Sequence, residues 1–357
     1  MEIALVGFPQ SGKTTIFQAL CGKNLPSPAK GRGRFEPGTQ IVPVPDKRID
    51  CLSQIYLPQK TIYATVQITD LPGFEKKDLQ NDKLVAEVES YIGKVDALVH
   101  VVQMYDGQNK AFDAVTEMEV DCIMRDQMKV ETRLERIEHS WKKVTGNARK
   151  QLEEEKSLLE NCLELLNKEK PLRAHDFTPD QEKILNSFQF WSLKPLLILF
   201  NCDEEQYAAP LPLKDLDNII SLPNTRYMKL LGLVEKEINE LSSEEKTQFL
   251  EAYQLDEPGR EKVLRTLYEL LDLTSFFTVG SDEVRAWTIA RDTRAREAAG
   301  KIHSDMEKGF IRAEVISYDD LIEYGNEQEV KKNGKCRFEG KEYPVKDGDI
   351  ISFLFNK

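Results

Sequence analysis

The stretch Gly7-Phe8-Pro9-Gln10-Ser11-Gly12-Lys13-Thr14 limits what this chain can fold into more than any other. It fits G-x-x-x-x-G-K-[ST] and lies between the apolar run Ile3-Ala4-Leu5-Val6 and the helical run Thr15-Ile16-Phe17-Gln18-Ala19-Leu20. Strand, loop and helix in that order make a phosphate cradle. Gly12 lets the backbone come close to phosphate oxygens, and the N–H groups of Gln10, Ser11, Gly12, Lys13, Thr14 and Thr15 converge on them at a helix N-terminus. Lys13 supplies a point charge. The Thr14 hydroxyl is placed to hold Mg²⁺, which keeps its remaining octahedral positions for waters and for β- and γ-phosphate oxygens. The bland alternative for the same residues is a Gly-rich strand-to-helix turn.

At 357 residues the chain has room for two or three domains with sizeable cores. Its 49 Lys+Arg stand against 61 Asp+Glu, so broad electrostatic attraction to nucleic acid is not the default and no DNA partner is expected; a local basic surface stays open. The six cysteines, Cys21, Cys51, Cys122, Cys162, Cys202 and Cys336, are far apart with no C-x-x-C. That argues against a disulfide framework or zinc knuckle and suits a reducing compartment. Residues 2–6 run straight into the loop, and no run of about 18 apolar residues occurs. The expectation is a cytoplasmic protein with no membrane partner.

Residues 24–38, rich in Pro, Gly and basic side chains (Lys30, Arg32, Arg34), have no helical or alternating period. They suit either a segment that senses the γ-phosphate or a plain surface loop. Residues 40–44 and 61–70 read as strands, the first at a sheet edge because of Pro43. The second ends in Asp70-Leu71-Pro72-Gly73, of the form D-x-x-G. Asp70 can hold a Mg²⁺-bound water and the Gly73 N–H can reach the γ-phosphate, which makes Lys13, Asp70 and Gly73 the candidate catalytic set and Thr14 and Asp70 the candidate metal set. Phe74 follows where Ras-type proteins carry a water-orienting Gln, a task a phenyl ring cannot perform.

Residues 95–103 form a nearly continuous apolar run, the mark of a parallel strand covered on both faces, with His100 read as a core histidine. From 112 to about 169 the period is helical: Val130, Leu134, Ile137, Trp141 and Val144, then Leu152, Leu159, Cys162 and Leu166, with Gly146-Asn147 between them. This predicts an antiparallel helical hairpin. Lys142, Lys143, Arg149, Lys150 and Lys156 near its tip fit a solvated face or an RNA or ribosome contact.

After the apolar strand ending at Phe200, the loop Asn201-Cys202-Asp203-Glu204 stands where GTP-specific proteins carry N-K-x-D. The Lys stem that packs along guanine is missing and the acid is one methylene longer. An unpaired buried acceptor costs about 1–3 kcal/mol, so guanine selectivity is compromised and ATP is a serious candidate. Residues 227–232 add a strand and a loop whose Leu230, Leu231 and Gly232 can pack a base. Residues 235–253 and 260–273 read as closing helices. Beyond about Ser275, short strands at 276–279, 285–289, 313–317, 335–338, 341–345 and 350–355 surround one helix at 295–306, a small α+β domain.

Several long motifs now carry a resemblance. Glu283-Val284-Arg285-Ala286-Trp287-Thr288, Ala299-Gly300-Lys301-Ile302-His303-Ser304-Asp305, Glu307-Lys308-Gly309-Phe310-Ile311-Arg312-Ala313-Glu314-Val315 and Asp347-Gly348-Asp349 resemble the TGS domain of the YchF or Obg-like ATPases. Pro43-Val44-Pro45-Asp46-Lys47-Arg48 and Arg133-Leu134-Glu135-Arg136 are also similar to that family. The resemblance implies an α/β fold: a P-loop NTPase domain (1–110 and 195–274), an inserted antiparallel coiled-coil helical domain (111–194) and a β-grasp-like TGS domain (275–357). It further implies slow ATP hydrolysis with Mg²⁺ as cofactor, ATP or GTP as substrate, ribosome or ribosomal RNA as partner through the TGS domain and hairpin, and base contacts at Asn201, the backbone of Cys202, Glu204 and the 230–232 loop. Family members carry N-x-x-E and a hydrophobic residue at the Phe74 position.

The departures cluster on the γ-phosphate side. Gln10-Ser11 and Thr14 replace the usual Asn-Val and Ser, Arg34 stands where a switch Thr is usual, with Thr39 as a possible replacement, Glu75-Lys76-Lys77 follows Phe74 in place of a Gly-rich loop, and residues 104–117 lack the histidine common in bacterial members. Two readings follow: a slow ribosome-linked ATPase switch, or a nucleotide-responsive binding module with negligible turnover. A GTPase switch is the alternative on the base.

Overall fold

The computed structural model describes residues 1–22, 37–73, 82–211, 213–253 and 255–356. The Arg34 and Phe74 positions and most of the two switch stretches lie outside the described residues. Along the chain, β1 (Glu2–Val6) leads to α1 (Lys13–Cys21), β2 (Gly38–Pro43), α2 (Lys47–Tyr56), β3 (Lys60–Ile62) and β4 (Thr65–Asp70). Then come α3 (Asp82–Ile92), β5 (Ala97–Gln103), α4 (Gln108–Ser140), α5 (Asn147–Asn167), β6 (Leu196–Asn201) and β7 (Thr225–Leu230). Contacts divide the chain into two compact units, one of residues 2–40 and 67–262, the other of Met1, 41–66 and 263–357.

The first unit is built on a sheet of order β2-β4-β1-β5-β6-β7, with β2 at the edge as Pro43 requires. The pairs β4/β1, β1/β5, β5/β6 and β6/β7 are all parallel. Parallel pairing puts the C-terminal ends of these strands, and the loops that follow them, along one border of the sheet. β5 and β6 are buried almost throughout, as their unbroken apolar runs predict. Ala4, Val6, Leu98, Val102, Ile198 and Phe200 pack on one face against Val88 and Ile92 of α3 and Phe112 and Val115 of α4.

The hairpin forms as its period predicts. Ile123, Val130 and Ile137 of α4 meet Leu158, Leu159, Cys162 and Leu166 of α5, and Arg133 makes a two-pronged bond to Glu155 (2.6 and 3.0 Å). Near the tip, Arg149 lies 5.1 Å and Lys156 5.9 Å from the Trp141 ring centre, so two of the basic residues rest on an aromatic face. The closing segment at 235–253 is not one helix but two, Gly232–Ile238 and Ser243–Ala252, because Ser242 and Glu245 form a reciprocal capping box that starts a new helix.

The second unit holds β8 (Leu273–Thr278), β9 (Glu283–Ala290), β10 (Phe310–Ser317), β11 (Arg337–Glu339) and β12 (Asp349–Phe355) in the order β11-β10-β12-β8-β9-β3. The expected helix at 295–306 breaks at His303, where the His303 Nδ1 caps the second piece. Residues 341–345 form no strand beyond one bridge between Arg294 and Pro344, and 318–324 and 327–332 are helices that the short-strand reading missed.

The segment 61–70 is two strands, not one. β3 pairs in parallel with β9 (Lys60↔Glu283), whereas β4 pairs with β1. Residues 41–66, expected in the nucleotide domain, accordingly join the C-terminal unit: Ile49 and Leu52 of α2 enter a core with Phe277 and Val284, and Arg48 bonds Asp347 at 2.6 Å. The helical hairpin belongs by contact to the first unit. No helix among the described residues is long and apolar enough to cross a membrane.

Candidate nucleotide-binding site

Five loops line the border of the first sheet where its parallel strands end: 7–12 after β1, 71–73 after β4, 104–107 after β5, 202–204 after β6 and 231–232 after β7. The candidate phosphate, metal and base residues, from Gln10 to Thr15, Asp70, Gly73, Asn201, Cys202, Glu204 and Leu230 to Gly232, lie on these loops or at their flanks.

The loop after β1 is shaped by residues in left-handed backbone: Gln10 at φ 65° and Gly12 at φ 90°. Ser11 N–H closes a turn on the Phe8 carbonyl (3.3 Å). Gly12 caps α1 without a side-chain acceptor, so the N–H groups of residues 12–15 have no partner among the described residues. Those donors, aimed out of a helix N-terminus, are what an anion would take up. The Lys13 ammonium, buried in the loop, donates to the carbonyls of Gly7 (2.9 Å) and Phe8 (2.8 Å). Burial pulls its pKa down to about 8, against the opposing pull of the Asp70 charge.

Asp70 is also buried, and its Oδ2 accepts from the Thr14 hydroxyl at 3.1 Å. Loss of water raises its pKa, while the Thr14 bond and the Lys13 charge oppose the rise. Its Oδ1 and the Ser11 hydroxyl are buried with no hydrogen-bond partner among the described residues. Burying such oxygens unpaired is costly, and an orphaned carboxylate oxygen beside a Thr hydroxyl is a donor set that suits a hard divalent cation. Gly73 abuts the loop: a Cβ there would lie 2.8 Å from both the Lys13 Nζ and the Pro9 N. Lys13, Thr14, Asp70 and Gly73 thus share one place. Gln10 is exposed and Thr15 half-buried on the same loop and first turn. Thr39, considered as a second hydroxyl ligand, bonds the Thr69 hydroxyl at 3.3 Å.

The base side is assembled around Asn201, 2% exposed. Its Oδ1 accepts from the Tyr105 hydroxyl (3.0 Å) and the Gly232 N–H (3.3 Å), and its Nδ2 donates to the Ser11 carbonyl (3.4 Å). Glycine is required on either side, since a Cβ on Gly12 would lie 2.2 Å from Nδ2 and one on Gly232 2.6 Å from Oδ1. At Cys202 the N–H is given to the Leu230 carbonyl (2.9 Å) and the thiol turns inward to Met104 and Phe200, with a pKa pushed up to about 11 by burial. It shapes the loop and has no N–H left for a base. Leu230 and Leu231 are buried. Glu204 is exposed, and its carboxylate takes the Tyr253 hydroxyl.

Three residues escaped the sequence reading. Gln206 boxes with Asp203 and donates to the Met104 carbonyl (2.7 Å), Lys229 holds the carbonyls of Gln206 (3.3 Å) and Ala209 (2.6 Å), and Tyr105 reaches Asn201. The D-x-x-Q spacing of a capping box marks Gln206 locally. Only sheet order reveals Tyr105, by setting the loop after β5 beside that after β6. His100 sits in the core as read, its pKa lowered to about 3 by burial and the Lys13 charge.

Comparison with known proteins finds relatives over nearly the whole chain. Residues 2–136 match a family described as 50S ribosome-binding GTPase, and residues 273–356 match the C-terminal family of YchF GTPases, described as a protein of unknown function. The chain is 35% identical over 363 residues to the ribosome-binding ATPase YchF of Escherichia coli O157:H7, covering 99% of both proteins. It is 34% identical over 367 residues to the protein of that name in Bacillus subtilis strain 168, covering 100% of this chain and 99% of the relative. A solved structure of the Schizosaccharomyces pombe YchF GTPase superposes with a TM-score of 0.81 at 27% identity, covering 99% of this chain and 97% of that one.

Proposed function

Because the chain belongs to the YchF family of P-loop nucleotide hydrolases, we propose that it is a slow ATPase that associates with ribosomes and changes its switch segments with the state of the bound nucleotide. The observation that carries the reading is the convergence of Lys13, Thr14, Asp70 and Gly73 on one loop whose first-turn N–H groups have no partner among the described residues. The N–H groups of residues 12–15 and the Lys13 ammonium hold the phosphates in place and match their charge. Thr14 and Asp70 would hold Mg²⁺, which neutralises charge on the phosphate oxygens when bound. Gly73 permits a close backbone approach to the terminal phosphate.

A preference for ATP over GTP is supported by Glu204, whose carboxylate is engaged with Tyr253, and by the missing Lys of N-K-x-D. Ribosome or ribosomal RNA contact is assigned to the C-terminal TGS domain and the hairpin tip, where Lys143 and Lys150 are exposed. We keep the division into a nucleotide domain, a helical insertion and a TGS domain as the functional one, with α2 and β3 packed on the third. A second reading, a binding module with negligible turnover, is favoured by Phe74, which offers no group to orient water.

Affinities for ATP and GTP, followed by hydrolysis by the wild type and Lys13→Ala with and without ribosomes, test the proposal. ATP is expected to bind more tightly and to be turned over above the variant's background. GTP binding ten or more times tighter, about 1.4 kcal/mol, would replace the ATPase by a GTPase switch. Equal turnover by both proteins would leave the binding module.

A further inference from the structure

We propose that Tyr105 is a positioning residue for purine recognition: its hydroxyl clamps the Asn201 carboxamide in the orientation that offers an N–H, and not its oxygen, to the base. The inference rests on the reading of Asn201 and the 230–232 loop as the base side of the site. Asn201 lies between the phosphate loop and the loop after β7, and its amide could in principle take either of two orientations. The Gly232 N–H, which can only donate, and the Ser11 carbonyl, which can only accept, choose between them, and the Tyr105 hydroxyl, which could serve either orientation, holds the one they choose. The oxygen accepts from the Tyr105 hydroxyl at 3.0 Å and from the Gly232 N–H at 3.3 Å, and the nitrogen donates to the Ser11 carbonyl at 3.4 Å. The two backbone bonds are long, and the Tyr105 bond is the shortest of the three.

With the oxygen doubly occupied, the carboxamide has one hydrogen left, the second N–H of Nδ2, which has no partner among the described residues. An N–H seeks an acceptor, and the imidazole-ring N7 of a purine is one that adenine and guanine share. The device therefore selects purines over pyrimidines and is silent between adenine and guanine, a choice left to other residues.

Tyr105 can serve because its own loop is tied down. Met104 N–H donates to the Asn201 carbonyl (3.0 Å), Gly107 N–H closes a turn on Met104 (2.9 Å), and Gln206 binds the Met104 carbonyl (2.7 Å). The ring is nonetheless 44% exposed, so it fills no core space and loss of its hydroxyl leaves packing intact.

The test compares the wild type and Tyr105→Phe for affinity towards ATP and towards 7-deaza-ATP, which lacks the N7 acceptor. Loss of one neutral hydrogen bond predicts ATP binding weaker by about 3- to 10-fold in the variant. With 7-deaza-ATP the two proteins should agree within about twofold, since the oriented N–H then has nothing to meet. Equal ATP affinities overturn the proposal, and so does an equal loss with both ligands, which marks a structural role. A wild type that binds GTP and not ATP defeats the adenine preference alone; GTP and 7-deaza-GTP then carry the same comparison. A wild type that binds no purine nucleotide overturns both readings.

Discussion

Gly12→Ala is the most informative single perturbation of this site, because its cost separates into two parts with distinct origins. The backbone at Gly12 has φ 90° and ψ 16°, left-handed space in which any Cβ is strained by about 1–2 kcal/mol. The added methyl would also stand 2.2 Å from the Asn201 Nδ2, far inside van der Waals contact. Asn201 is buried and cannot swing into solvent. It must give up some or all of its bonds to Ser11, Gly232 and Tyr105, each worth about 0.5–1.5 kcal/mol, for a total loss of about 3–6 kcal/mol.

The second part vanishes if the obstructing amide is removed first. In an Asn201→Ala background, Gly12→Ala should therefore cost only the backbone strain of about 1–2 kcal/mol. Urea unfolding of the four proteins in the double-mutant cycle, followed by the fluorescence of Trp141 and Trp191 in the same unit, measures the difference. An equal cost of Gly12→Ala in both backgrounds would refute the steric argument and leave φ as the whole reason for glycine.

Two further outcomes follow from ionisation and burial. With the Lys13 pKa near 8, the ammonium that grips phosphate is lost as pH rises through that value, so ATP binding should weaken about tenfold between pH 7 and pH 9; affinity that stays flat would show Lys13 charged throughout. Arg173 is held in the interior by both oxygens of Glu119 (2.8 Å each) and by bonding to Thr225 (3.0 Å), so Glu119→Ala should destabilise by about 3–5 kcal/mol through a stranded guanidinium, and a loss under about 1 kcal/mol by thermal or urea unfolding would contradict it.

Much of this protein was legible residue by residue. The phosphate loop declares itself because its requirements are local: glycine where φ is positive, a lysine at its centre, a strand before and a helix after. The continuous apolar runs of β5 and β6 and the hairpin of α4 and α5 were equally plain, since side-chain period follows from backbone geometry within a few residues. Asp70 and Gly73 were found by their spacing from the end of a strand. The split of residues 61–70 was not, for nothing in Thr61-Ile62-Tyr63-Ala64-Thr65 states that Lys60 will pair with Glu283.

The same limit governs the base side. Asn201 could be picked from its position after β6, and Cys202 and Glu204 beside it, but which of their groups stay free depends on neighbours brought in by the sheet. Cys202 loses its N–H to Leu230, and Tyr105 reaches Asn201 across 96 residues of chain. The sequence by itself determined a phosphate grip and the elements that frame it, because those depend on short-range sterics and period. The tertiary structure alone decided which atoms of Asn201 are spent, why Gly12 and Gly232 must both be glycine, and that residues 41–66 join the C-terminal unit, because parallel strand order sets beside one another loops that the chain keeps far apart.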